Sequence, residues 1–137
     1  YIFQTISALC DVLDIKYDLG VRTRKAYRNK NIDELRAIVS DYKKLDGRIN
    51  TLYDAVKTQR DIECKPHGFE NQDLRFGGLI MRIRHCAERL EQYVRGEAVG
   101  IPELEEDILP CMPDVPQGRS VNHNHWHATA LIKFAED

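Results

Sequence analysis

His123 and His127, in the stretch HNHWH, are spaced i, i+4 and fall on one face of any helix through them, with His125 close by. Such a pair binds a metal when a third ligand, often a carboxylate, joins it. The internal Glu of an H-E-x-x-H motif is missing, so the pair brings no general base. The plainer reading is a helix start capped by Asn122 or Asn124 with its imidazoles in water. His67 lies in a Gly-Phe turn three residues after Cys64, and nothing in the spacing makes one activate the other. The basic stretch RTRKAYRNK (22–30) has the charge to meet phosphate. It reads better as the solvated C-terminus of a helix, where cations suit the dipole. Asp33 and Glu34 are adjacent carboxylates, but they stand in the first turn of a helix, where free N–H groups stabilise acids. No nucleophile elbow, P-loop or dinucleotide fingerprint occurs, so no cofactor is expected.

The elements that would position these residues are helices. From Leu35 the apolar positions run Leu35, Ile38, Tyr42, Leu45, Ile49, Leu52 and Val56, stepping 3, 4, 3, 4, 3, 4. That is the seam of a helix packed lengthwise on near-parallel neighbours. Asn31 with Glu34 three residues on forms a capping box with Asn in the cap role. Only Gly47 interrupts the run, at about 1 kcal/mol against Ala. A helix is predicted over about 32–62. A first helix, about 1–28 and bent at Gly20, is expected to place Ile2, Ile6, Leu9, Leu13 and Tyr17 inward. A third, about 71–95, uses Phe76, Leu79, Ile83, Cys86, Leu90 and Tyr93 before Gly96 and Gly100 stop it. Short connections, RNKN and CKPHGF, force antiparallel neighbours, hence an all-α, up-down-up three-helix bundle. After Gly100 the segment IPELEEDIL suits a short helix, with Pro102 in its first turn. PCMPDVPQG, with three prolines, is irregular. A last helix through NHNHWHATALIKF is expected to return to the bundle with Trp126, Ala130 and Leu131 or Phe134 inward. Residues 1–137 thus read as a single helical domain with a tail over 101–137.

Bulk properties narrow the function. The 137 residues suffice for one core, and 42% hydrophobic with 31% charged is an ordinary mixture for a water-soluble domain. A net charge of −2 offers no field for nucleic acid or an anionic membrane. No apolar run approaches the ~20 residues of a membrane span. The four cysteines show no C-x-x-C pairing. Cys10 and Cys86 are expected as buried, reduced thiols, which favours a reducing, cytoplasmic compartment. The chain opens on Tyr1 with an apolar helical pattern and no basic leader, and reads as a piece of a longer protein.

One stretch asks for a partner. KPHGFENQDLRFGGL (65–79) is a polar turn that runs into a helix thinned by two adjacent glycines. Lys65, His67, Gly68, Phe69, Glu70, Gln72, Asp73, Arg75, Gly77 and Gly78 are its interface candidates. Bare backbone at 77 and 78 lets another backbone or a large ring approach closely. Alternatively the glycines admit a bulky core residue from the first helix or Trp126.

LDIKYDLGVRTRKAY and KPHGFENQDLRFGGLIMRI resemble the C-terminal all-helical domain of bacterial glycoside hydrolase family 20 enzymes, exo-acting β-N-acetylhexosaminidases. NHWHATA resembles that domain's closing helix, and the resemblance spans about Ile2 to Phe134. It implies a catalytic barrel earlier in the same polypeptide, whose Asp-Glu pair serves substrate-assisted hydrolysis through the sugar's own 2-acetamido group. Asp33 and Glu34 are not that pair, because they open a bundle helix. The implied role is therefore non-catalytic: bracing the barrel, dimerising through a two-fold surface, or both. The alternative is a free-standing helical binding module with a metal held by His123 and His127. A small independent enzyme is disfavoured by the lack of convergent acid–base groups.

Overall fold

The computed structural model describes residues 1–64 and 67–107. Four helices follow in order: α1 (Ile2–Arg28), α2 (Ile32–Glu63), α3 (Glu70–Val94) and the single-turn α4 (Pro102–Glu105). Two compact units divide the chain, Tyr1–Glu105 and Glu106–Asp137, and all four helices belong to the first. The expected all-α up-down-up bundle is what forms, with α2 in the middle and α1 and α3 packed against it.

Each boundary has a local cause. Asn31 accepts the Glu34 N–H at 3.2 Å, and its amide donates to the Glu34 carboxylate at 3.1 Å, so the expected capping box opens α2. α1 and α3 end in the same way. The N–H of Lys30 bonds the Tyr27 carbonyl and that of Asn31 bonds Ala26; Gly96 bonds Tyr93 and Glu97 bonds Gln92. Both are Schellman closures with a left-handed residue at the turn. Gly96 has φ +75°, where glycine is at ease, whereas Lys30 sits at φ +52° with a full side chain. The tight Lys30 closure reverses the chain at once and lays α2 back along α1.

The α2 seam is buried as its spacing predicts. Leu35, Ile38, Leu45 and Ile49 are the largest fully buried side chains, with Leu52 beside them and Tyr42 and Val56 half-buried. Each such aliphatic contributes about 1.5–3 kcal/mol. From α3 come Ile83, Ala87 and Leu90, with Phe76, Leu79, Cys86 and Tyr93 half-buried. Ion pairs line the two sides of α2. Arg22 joins Asp18 and Asp41, and Arg48 meets Asp14; across the other side Arg84 grips Asp46 and Lys43 meets Glu91.

On α1 the structure overturns the predicted face. The buried positions are Ala8, Val12, Ile15, Leu19, Thr23, Ala26 and Tyr27, and Ile2, Ile6, Leu9, Leu13 and Tyr17 are exposed. The reason is that α1 carries two apolar seams about a quarter-turn or more apart, and α2 takes the one with small and β-branched residues, which lets the helices pack closely. Cys10 goes with the outer seam and is exposed rather than buried; Cys64 is exposed and Cys86 half-buried. α1 runs through Gly20 as one helix.

Candidate functional interface

At 100° per residue the side chains of α1 sort into three arcs. One is the core seam. A second, Asp11, Asp14, Asp18 and Arg22, is polar and tied to α2 through Asp41 and Arg48. The third is apolar and in water: Ile2, Phe3, Ile6, Leu9, Cys10, Leu13, Tyr17 and Val21. Phe3 is 85% exposed, Tyr17 78% and Val21 73%. Eight of the twelve exposed large hydrophobics among the described residues lie between Tyr1 and Val21, so the exposure is concentrated on one helix. Scattered surface apolar residues are ordinary, but a contiguous stripe marks an interaction site. The signal was present in the sequence: roughly two-thirds of the α1 circumference is apolar, more than one neighbour can cover.

The polar turn before α3 is busier with itself than its composition suggests. Glu70 accepts the Gly68 N–H at 2.9 Å. Asp73 accepts the Tyr53 hydroxyl at 2.7 Å, and that bond, helped by desolvation, raises the Tyr53 pKa. Arg60 donates to the His67 carbonyl and lies 5.7 Å over the Phe69 ring. Tyr53 packs edge-on to Phe76 at 5.4 Å. These contacts bring Gly68, Phe69, Glu70 and Asp73 onto the end of α2. Gln72 is half-buried; His67, Arg75, Gly77 and Gly78 are exposed. A Cβ built on Gly77 or Gly78 would meet nothing within 4 Å. No described residue of α1 therefore fills the space, and the glycines form bare outer surface between exposed Leu74 and Met81. Lys65, and Trp126, His123 and His127 with the last predicted helix, lie outside the described residues.

Tyr27 is the junction at the other end of the bundle. Its ring packs 4.9 Å from Tyr93, so α1 and α3 meet there. Its hydroxyl accepts the Ile101 N–H at 2.8 Å and donates to Glu105 at 2.7 Å. Burial, then the Glu105 carboxylate, push its pKa up. Arg24 holds the Glu103 and Leu104 carbonyls, and Ile101 is buried beneath. Thr23, Tyr42, Cys86, Leu90, Ile101 and Leu104 line a half-open hollow of about 70 Å³. That is far below the roughly 300–1,000 Å³ of small-molecule sites. Its one carboxylate, Glu103, stands 3.9 Å from Arg89, so no pair of acids faces it. Among the described residues no three His, Cys, Asp or Glu gather closely enough to hold a metal ion, and no helix is long and apolar enough to cross a membrane. Asp33 pairs with Arg36 at 2.9 Å in the first turn of α2, a capping position rather than a catalytic one.

The family model for the Glycoside Hydrolase 20C C-terminal domain matches residues 1–123. A search of curated proteins finds no match.

Proposed function

Because the chain belongs to the glycoside hydrolase 20C C-terminal domain family, we propose that it serves as a non-catalytic helical domain that braces the catalytic barrel of the same polypeptide, with dimerisation as a second use of its surfaces. The enzyme it serves is read as an exo-β-N-acetylhexosaminidase acting by substrate assistance. The observation that supports bracing is the α1 stripe: a domain working alone would not leave Phe3, Ile6, Leu13 and Tyr17 to water. The 65–78 turn, with the open Gly77–Gly78 surface, is a second contact in this reading.

The test is made in the full enzyme. Removing residues 1–137 is expected to lower the temperature of half-inactivation and leave the barrel prone to aggregate, while the barrel's acids are untouched. Unchanged heat stability and turnover would sink the bracing role. Replacing Gly77 and Gly78 together with Leu is expected to weaken assembly or turnover, and an unchanged particle mass with unchanged turnover removes the turn from the interface. The rival metal-binding module predicts that zinc raises the melting temperature and that His127→Ala abolishes the rise.

A further inference from the structure

We infer that the outer stripe of α1 is the seat of a helix from the preceding catalytic domain, laid lengthwise along α1. The inference rests on the accessory-domain reading above and assigns the face through which it acts. Three observations carry it.

First, the spacing is that of a helix partner. Phe3, Ile6, Cys10, Leu13 and Tyr17 step 3, 4, 3, 4, and Gly20 or Val21 continues the run. A helix crossing at a shallow angle meets such a seam along its whole length. Second, the exposed area is large. Phe3 and Tyr17 alone, at 85% and 78% exposure, leave on the order of 300 Å² in water, comparable to the largest apolar patch of an ordinary monomer. Third, the stripe is densest where the preceding domain must join. Ile2, Phe3 and Ile6 occupy the first two turns, and past Val21 the outward residues of α1 turn basic, at Lys25 and Arg28. The family matched is a C-terminal domain, so the catalytic domain lies on the N-terminal side of α1 in the same polypeptide. A covalently joined partner acts at high effective concentration. A second copy at micromolar concentration competes poorly for the same face.

One native thiol tests this without mutation, because Cys10 lies in the stripe. In the intact enzyme, alkylation by N-ethylmaleimide followed by peptide mass mapping is expected to modify Cys10 at least about tenfold more slowly than in the same enzyme unfolded in urea, because access limits thiol reactivity. The double variant Leu13→Asp, Tyr17→Asp should restore Cys10 reactivity; Leu13→Ala, Tyr17→Ala serves if the acidic pair impairs expression. Equal Cys10 rates in the folded and the urea-unfolded enzyme overturn the proposal. So does protection of Cys10 that vanishes on dilution with halving of the particle mass, which identifies a second copy as the occupant, or protection that persists in the chain of residues 1–137 alone, which identifies its own C-terminal segment. Loss of heat stability on removal of the whole domain, together with a reactive Cys10, overturns only the choice of face and leaves bracing intact.

Discussion

Lys30 is the least comfortable residue of the bundle. It holds a left-handed conformation, φ +52°, that an L side chain adopts at a cost of about 1–2 kcal/mol. The hydrogen bonds from Lys30 and Asn31 to the last carbonyls of α1 keep it there. Lys30→Gly is therefore expected to raise stability by about 1 kcal/mol, read as a higher urea midpoint at unchanged slope. At the equivalent place after α3, where glycine is native, Gly96→Ala should lower stability by about 1 kcal/mol. Tyr27 gives a second test. Tyr27→Phe strands the buried Ile101 N–H, worth about 1–3 kcal/mol, and frees the 101–105 segment. The phenols of Tyr27 and Tyr42 are both raised above the ordinary 10.0, in each case by burial first. A raised pKa in the fold means the unfolded chain loses its proton earlier. The stability these groups contribute is thus complete below about pH 10 and is lost as pH climbs through their folded values. Thermal melts between pH 8 and 11 should show the decline, and it should be shallower in Tyr27→Phe.

Among the elements, α2 and α1 respond to substitution in opposite ways. Ile49→Ala, in the centre of the α2 seam, is expected to cost about 2–5 kcal/mol. On α1, neighbours differ: Val12→Asp buries an unpaired charge and should unfold the bundle, whereas Leu13→Asp should change the stability of this chain by no more than about 0.5 kcal/mol. Denaturant curves of the pair measure directly which seam is core. The contrast also explains what the sequence could and could not disclose. On α2 the outward positions are charged, so only one seam exists and periodicity finds it. On α1 a heptad of large residues, Ile2, Ile6, Leu9 and Leu13, competes with a quieter one, Ala8, Val12, Ile15 and Leu19. Bulk favours the first in any reading by pattern. Packing against α2 favours the second, because small side chains bring two helix axes close. The seam that pattern reading took for core is thus the candidate interface. In the turn before α3, the polar residues that suggested a partner partly find one at home, in Arg60 and Tyr53.

At the scale of the whole molecule, the four largest fully buried side chains all belong to the middle helix. Its neighbours each shield one side of it and leave their own outer surfaces to others. An assembly built this way should not open all at once. Amide hydrogens of α2 near Leu45 and Ile49 can meet solvent deuterium only when both flanking helices have separated from it, so they should exchange at the rate set by global unfolding. Those in the first turns of α1, around Ile6, need only a local fraying. In the chain of residues 1–137 the two classes are expected to differ by orders of magnitude in protection. Within the intact enzyme, the α1 amides should slow toward the α2 rate if a neighbouring helix lies along them. The hierarchy of exchange would then report how far the last domain of the polypeptide has become part of one cooperative unit with the domain before it.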